Sequence, residues 1–157
     1  MTATPLQLWR GTVPSEWLDY NGHMTEHRYL QIFGEASDAL YGRIGVDFAV
    51  AAEGAWFTLE THIRHVVECK LGEQLSTETE ILGFDTKRLH VYHRLYDTAG
   101  TLLATGEHLS IHVRQGKSCP APPRMQAVIA QIFEDQRTIP RPQSTGSVLR
   151  QALVHSR

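Results

Sequence analysis

The sequence is poor in several features that mark other classes of protein. Its 157 residues include two cysteines, Cys69 and Cys119, whose spacing fits neither a metal motif nor a disulfide framework, so we expect reduced thiols. No apolar run approaches the roughly 20 residues that a membrane-spanning helix needs. Fifteen basic residues against seventeen acidic ones give a net charge of −2, which provides no basic surface for nucleic acid.

What remains is the composition of an ordinary globular protein. Hydrophobic residues make up 41 % of the chain, which is enough to form a core, and the length suits one domain. The first five residues, Met1–Pro5, lack the basic and apolar regions of a signal peptide. We therefore expect a cytoplasmic protein without a membrane partner.

Hydrophobic periodicity predicts one long helix and several strands. Leu6–Val13 has the composition of a strand, and Pro14 would stop it. Apolar residues then recur at helical spacing from Thr25 to about Ile44, where Thr25 can cap the helix and Gly45 can end it. Four later segments alternate in polarity or are rich in β-branched and aromatic residues: 56–68, 74–82, 87–97 and 102–114.

Short turn signals between these four segments predict antiparallel hairpins and an α+β fold. One helix cannot cover both faces of such a sheet, so the sheet should wrap the helix and offer its other face or edge to a partner subunit. We expect a homodimer or a homotetramer. A short helix from about Arg124 to Gln136, then a partly disordered segment, would form a tail over 119–157 behind a domain over 1–118.

Several separated motifs resemble acyl-CoA thioesterases of the hotdog fold. Asp19 precedes the long helix and Tyr29 follows ten residues later, a spacing similar to that of the 4-hydroxybenzoyl-CoA thioesterase type. Thr25 stands where related sequences usually have Asn. The wider pattern resembles betainyl-CoA thioesterases of carnitine catabolism, and it comprises the segments 19–24, 57–65, 87–90, 104–107 and 109–113.

This resemblance implies a five-stranded antiparallel sheet wrapped around a long central helix. It also implies a thioester hydrolase that acts on a small acyl-CoA, with betainyl-CoA as the expected substrate. Coenzyme A would then be part of the substrate and the product, and no separate cofactor is expected.

The candidate catalytic residues are Asp19, Asn21 and His23. A thioester carbonyl needs a nucleophile or an activated water, and a carboxylate can supply either. The resemblance implies this role for Asp19, while His23 could orient the substrate or hold Asp19, and Asn21 could position water. The alternative is that Asp19 caps the loop or helix and that its two neighbours are ordinary turn residues.

The predicted start of the long helix suits an oxyanion hole. Unpaired N–H groups and the helix dipole both favour negative charge there. We expect the amides around Met24, Thr25 and Glu26 to serve this role. Gly22 would allow the backbone to approach the thioester closely, or it would serve only the turn.

Candidate substrate contacts come from aromatic residues and one acidic residue. A trimethylammonium group is attracted to aromatic faces, although most aromatic residues belong to cores. Glu107 shares its strand face with Leu109 and Ile111, a face that we expect to be the core, so it needs a partner and could lie near the active site. The aromatic candidates are Trp17, Tyr20, Trp56, Phe57 and Tyr92.

Basic residues could hold the phosphates of coenzyme A, and Arg64, Lys87 and Arg88 are the candidates, with a solvated rim as the alternative.

A metal site is not expected. His62 and His65 are three residues apart in a predicted strand, so their side chains point to opposite faces and cannot share a metal ion within one subunit.

Two other functions stay open. One is a hotdog enoyl-CoA hydratase, although the Asp-to-His spacing and the intervening proline of the hydratase motif are missing here. The other is a non-catalytic acyl-CoA-binding module.

Overall fold

The structure is a computed structural model that describes residues 3–145 and 155–156. The predicted strands and helices are all present, with bounds within three residues of those expected. In chain order they are β1 (Leu6–Thr12), α1 (Glu26–Arg43), β2 (Ala55–His65), β3 (Gln74–Phe84), β4 (Arg88–Tyr96), β5 (Leu102–Arg114), β6 (Lys117–Ser118), α2 (Pro123–Asp135) and β7 (His155–Ser156).

The five long strands form one antiparallel sheet in the order β1-β3-β4-β5-β2, which confirms the predicted α+β hotdog architecture. The short β6 and β7 extend it by pairing with β5 and β3. Consecutive hairpins link β3, β4 and β5, whereas β2 returns to pair with β5. As a result β2, which follows α1 directly in the chain, forms an edge of the sheet.

Helix α1 packs against this sheet through one buried stripe. Its buried residues follow helical spacing and include Ile32, Phe33, Ala36 and Leu40. The approach is close, since a Cβ built on Gly106 of β5 would lie 2.6 Å from the Phe33 ring. Any larger residue at this position would push the helix away from the sheet.

The prediction that Thr25 caps α1 with its side chain is wrong. Thr25 occupies the N-cap position with extended backbone angles, but its hydroxyl makes no capping hydrogen bond. Its Oγ1 is buried and has no partner among the described residues. The helix start is held through the backbone instead, because the Arg28 amide donates to the Thr25 carbonyl over 3.0 Å.

Helix α2 closes one end of the core. Met125, Ile129 and Ile132 pack in the same cluster as Leu40 of α1 and Ile81 of β3. The predicted boundary after residue 118 stays a prediction, but this packing joins α2 to the sheet. The segment expected to be partly disordered lies largely outside the described residues. In the part of the chain that is described, no helix has the length and apolar character to cross a membrane.

The Glu107 face of β5, expected to be the core, is buried, but it is not the face that meets α1. The neighbouring residues Gly106 and His108 approach Phe33 of the helix, so Glu107 projects from the opposite face of β5. Glu107 is nevertheless buried, and its Oε1 lies 2.8 Å from Nε2 of His90, the partner that its burial required. On this second face, the hydroxyl of Tyr92, the register partner of Glu107, contacts that of Ser144, a residue after α2.

Candidate active site

A tight loop before α1 presents the carboxylate of Asp19. Oδ1 of Asp19 accepts hydrogen bonds from the amides of Asn21 (2.8 Å) and His23 (3.2 Å). Gly22 has φ of +76°, and a Cβ there would meet no atom within 4 Å, so its backbone conformation rather than crowding within the chain calls for glycine. Oδ2 of Asp19 has no hydrogen-bond partner among the described residues, so one oxygen holds the turn while the other is left for chemistry.

The segment after β2 anchors this loop. The amide of Met24 donates to the Cys69 carbonyl over 2.8 Å, and His23 forms a β-bridge with Lys70. The amide of Thr25 donates to the Trp17 carbonyl over 2.9 Å. The amides of Met24 and Thr25 are thus bonded within the protein, which corrects the expectation that they line an oxyanion hole.

Two free amides remain at the start of α1. The N–H groups of Glu26 and His27 have no hydrogen-bond partner among the described residues, as the first turn of a helix leaves them. Glu26 was predicted to contribute such an amide, but His27 was missed. Its position as the second helical residue is the signal that would have identified it.

The loop, the helix start and the segment after β2 enclose a cleft of about 350 Å³. Tyr29 lines this cleft together with Asp19, and its ring stands edge-on to His65 at 4.7 Å between centroids. Its hydroxyl accepts a hydrogen bond from the Cys69 amide over 3.3 Å. Burial raises the pKa of Tyr29 far above its usual range, so the phenol stays protonated and is no base at neutral pH.

The cleft is acidic. Three of its lining residues are carboxylates, namely Asp19, Glu26 and Glu68, and none is lysine or arginine. The imidazole of His23 lies at its border, with Nε2 4.0 Å from Oε1 of Glu68. Such a site favours a cationic group over a neutral one of the same shape. Glu68 was not predicted, because it joins the site only through the fold; the other lining residues that were missed are His65, Val66 and Val67.

The predicted aromatic residues do not converge within one chain. Trp17 has the guanidinium of Arg28 over its ring at 5.3 Å, and Tyr20 is 97 % exposed. Trp56 is buried against Tyr41 in the core, and Phe57 is half exposed on β2. None of these lines the described cleft.

Tyr92 and Glu107 lie on the opposite face of the sheet. They are register partners in β4 and β5, and the hydroxyl of Tyr92 is 3.0 Å from that of Ser144. Glu107 is engaged by His90, as described above. Neither side chain lines the cleft of its own chain, so their predicted contacts with the substrate stay predictions.

The predicted coenzyme A contacts lie at different distances from the cleft. Arg64 is exposed at the end of β2, next to His65 of the cleft. Lys87 and Arg88 lie at the other end of the sheet, and Arg88 forms an ion pair with Asp85. In β5, Arg88 pairs with Ile111 and His65 pairs with Ala104. These two β5 residues are seven positions apart, which is about 23 Å along the strand. Roles for the three cations stay predictions.

The histidines are used separately. His93 lies between Ser37 and Thr79 on the helix side of the sheet, with 2.9 Å to each hydroxyl, whereas His90 contacts Glu107 on the other side. Over residues 3–145, no group of three histidine, cysteine or acidic side chains is placed to hold a metal ion.

Comparisons with known sequences agree with this architecture. A family model described as the thioesterase-like superfamily matches residues 13–129. The chain is 47 % identical over 146 residues to the L-carnitine dehydrogenase/betainyl-CoA thioesterase of Rhizobium meliloti (strain 1021), covering 90 % of this chain but 29 % of that protein. The chain therefore spans under a third of the length of that relative. The betainyl-CoA thioesterase of Pseudomonas aeruginosa PAO1 is 37 % identical over 139 residues, covering 85 % of this chain and 87 % of that one.

Solved structures give the same picture. A proposed thioesterase from Pseudomonas putida KT2440 has a TM-score of 0.84 and 39 % identity, covering 94 % of this chain and 97 % of its own. A hypothetical protein from Staphylococcus aureus, solved in complex with CoA, has a TM-score of 0.86 and 27 % identity with the same coverage.

Proposed function

This chain belongs to the thioesterase-like superfamily, and from that premise we propose that it hydrolyses an acyl-CoA thioester, with betainyl-CoA as the substrate. The products would be glycine betaine and coenzyme A. One observation carries the proposal: Asp19 and Glu26, the first residue of α1 and the bearer of a free amide, line the same cleft, and His27 follows Glu26 directly.

The chemistry needs a nucleophile and a site for the oxyanion. Asp19 supplies the first through Oδ2, either by attacking the thioester carbonyl or by taking a proton from the attacking water. The amides of Glu26 and His27 supply the second, and the dipole of the 18-residue helix adds to their effect. Charge that develops on the carbonyl oxygen is then met by fixed donors.

Both routes for Asp19 give the same products. Direct attack forms a mixed anhydride on Asp19, whereas water activation leaves the aspartate unmodified throughout. A single turnover in oxygen-18 water, with mass analysis of the peptide that contains Asp19, tests the first route. Label in that peptide would establish attack by the carboxylate.

The charge of the cleft supports a cationic acyl group. Glu68 and Glu26 add two carboxylates to that of Asp19, and the other lining residues are apolar or aromatic: Met24, Tyr29, His65, Val66 and Val67. A trimethylammonium group has an apolar surface and a fixed positive charge, so it suits such walls. This proposal replaces the aromatic cage with carboxylates as the source of selectivity, since the five aromatic candidates lie apart.

A thiol-trapping assay with two isosteric substrates tests the proposal. Betainyl-CoA and tert-butylacetyl-CoA differ by a quaternary nitrogen in place of a carbon, so their rates compare charge at constant shape. We expect kcat/KM to be at least tenfold higher for betainyl-CoA, because even partly screened opposite charges at contact are worth about 1 to 4 kcal/mol. Glu68→Gln should shrink this ratio.

The control for Glu68→Gln is Glu134→Gln, which changes an exposed glutamate on α2 that pairs with Arg137. It should leave the ratio unchanged. Equal rates for the two thioesters would refute the cationic substrate but not hydrolysis. Absence of thiol release from every acyl-CoA would refute hydrolysis, and tight binding without release would then identify a binding module. Loss of enoyl-CoA absorbance would identify a hydratase.

The assembly is a further part of the proposal. β2 is an edge strand of 11 residues with exposed apolar side chains at Phe57 and Leu59. Such an edge is a surface for pairing with another chain. Because β2 ends at His65, beside the cleft, a second copy paired there would border the active site. This arrangement supports a homodimer. A homotetramer would consist of two such dimers.

A further inference from the structure

One wall of the Asp19 cleft is a short run of irregular chain. Residues 65–68 are four of the eight residues that line the cleft, and they include Glu68, the carboxylate on which the proposed charge selectivity rests. β2 ends at His65, so the three residues after it belong to neither a helix nor a strand. The placement of this wall therefore depends on the contacts at its two ends.

The first end of the wall is fixed to β5. The amides of Val66 and Val67 both donate to the carbonyl of Leu103, over 2.9 and 3.0 Å. Two adjacent donors that share one acceptor break the alternation of a β-ladder, and β2 stops here for that reason. This contact is made by backbone atoms alone, so no side chain controls it.

The second end of the wall is fixed to α1 by a side chain. Cys69 directly follows Glu68, and its amide donates to the hydroxyl of Tyr29 over 3.3 Å. The thiol of Cys69 contacts the same hydroxyl, and its carbonyl accepts the amide of Met24 over 2.8 Å. Because Cys69 is fully buried, water cannot replace Tyr29 as the acceptor for its amide.

Glu68 itself is only loosely held by its own side chain. That side chain is 55 % exposed, and its Oε1 lies 4.0 Å from Nε2 of His23, which is a long separation for an ion pair. A solvated pair at this distance contributes little to fixing either side chain. The position of the carboxylate is thus decided by the backbone next to it, and that backbone is held by the Tyr29 hydroxyl.

We propose that Tyr29 is a positioning residue that sets the preference for a cationic acyl group, an inference that rests on the proposed function. Its hydroxyl holds the amide of Cys69, and this contact keeps the carboxylate of Glu68 beside the acyl group while the thioester reacts at Asp19. The phenol transfers no proton in this role. Selectivity between acyl groups is therefore the property that depends on the hydroxyl.

Tyr29→Phe tests the contact, because it removes the hydroxyl and keeps the ring. Hydrogen–deuterium exchange at the Cys69 amide should become about tenfold faster, since the buried donor loses its acceptor. An unchanged exchange rate at this amide would overturn the proposal.

Tyr41→Phe is the matched control for this variant. Tyr41 is also buried in α1, and its hydroxyl lies 2.9 Å from that of Ser110. It follows Tyr29 by twelve positions, about 18 Å along the helix, so its loss should leave exchange at Cys69 unchanged.

The kinetic test uses the same two thioesters, betainyl-CoA and tert-butylacetyl-CoA. Tyr29→Phe should lower the ratio of their kcat/KM values by about threefold, whereas Tyr41→Phe should keep the ratio of the unmodified protein. Added to Glu68→Gln, Tyr29→Phe should lower the ratio no further, because the carboxylate that it positions is already gone. An equal loss of rate on both thioesters, or full additivity with Glu68→Gln, would overturn the proposal.

Failure of the proposed function would have a different signature. Equal rates for the two thioesters in the unmodified protein would refute the cationic substrate and, with it, this role of Tyr29. A preference for betainyl-CoA that persists undiminished in Tyr29→Phe would refute the role of Tyr29 alone.

Discussion

At the scale of single residues, our proposal gives Asp19 two tasks with one side chain. Its Oδ1 holds the turn by accepting the amides of Asn21 and His23, and its Oδ2 has no partner in the described part of the chain. The capping and catalytic interpretations of this residue are therefore compatible. An asparagine side chain at this position could still accept the two turn amides, but it could not act as a nucleophile or a base.

Asp19→Asn should keep the fold and lose most of the turnover. Asparagine retains the carbonyl oxygen that the turn amides need, but it is neither a nucleophile nor a base. We expect kcat to fall by about 10²- to 10⁴-fold. Thiol trapping with betainyl-CoA measures the loss, and far-UV circular dichroism should match the unmodified protein. Unchanged turnover would refute the role of Asp19.

Two buried histidines between α1 and the sheet make stability depend on pH. Burial lowers the pKa of His93 well below 6.5 and that of His108 to about 4, so both are neutral in the folded protein. The unfolded chain binds protons at these positions near the usual 6.5, and stability must therefore fall as pH decreases from 6.5 toward 4. Among the described residues, the hydrogen-bond partners of these two rings are the hydroxyls of serine and threonine and include no carboxylate that would stabilise the positive forms.

His108→Gln should weaken this dependence. For His108 alone, the free energy of unfolding should fall by about 2 kcal/mol between pH 7 and pH 5, and the variant lacks that contribution. Urea unfolding at the two pH values measures it. His27→Gln, at an exposed position of α1, is the control and should keep the original pH dependence. An identical dependence in His108→Gln would show that the pKa of His108 is the same in the folded and unfolded chains.

At the scale of elements, the start of α1 carries the two amides that we propose as oxyanion donors. The loop before it consumes the amides of Met24 and Thr25, so the free donors are displaced to Glu26 and His27. This displacement follows from the contact with the segment after β2. The proposed oxyanion donors are therefore the amides of Glu26 and His27 rather than those of Met24, Thr25 and Glu26.

Glu26→Pro tests the hole by removing a single N–H group. Proline is favoured at the first helical position, and Thr25 already has φ of −63° and ψ of 148°, which a following proline requires. The fold should persist while kcat falls about 10²- to 10³-fold, as when one oxyanion donor is lost. Glu26→Ala, which keeps the amide, is the control. Equal kcat values in the two variants would remove this amide from the mechanism.

At the scale of the whole molecule, α1 packs on one face of the sheet, and Ser144, after α2, contacts Tyr92 on the other. The edge strand β2 is left exposed, and this is the surface that we assign to a second copy. Pairing along an edge buries backbone N–H and C=O groups that otherwise need water.

Leu59→Lys should disrupt that assembly. The residue is 54 % exposed on β2, and a charge there opposes burial against another chain. Light scattering should give a mass of at least twice 17.7 kDa for the unmodified protein and a lower mass for the variant. Val128→Lys, at an exposed apolar position of α2, should leave the mass unchanged. A monomeric unmodified protein would refute the assembly.

Local patterns in the sequence predicted the elements and the position of Asp19. Helical spacing gave the extent of α1, alternation gave the strands, and the turn residues gave the antiparallel hairpins. These features depend on neighbours along the chain, so a single sequence contains them. The resemblance added the order in which they assemble and the expected reaction.

The tertiary structure decided what depends on distant contacts. Glu68 and His65 reach the Asp19 cleft because β2 pairs with β5 and returns to the helix start, a partnership that local spacing does not encode. Alternation in β5 identified two faces but not which one met α1, and the tight approach at Gly106 settled that choice. The sequence by itself thus singled out Asp19 as the candidate reactive group, whereas the acidic surroundings on which we base a cationic substrate arise only when the chain has folded.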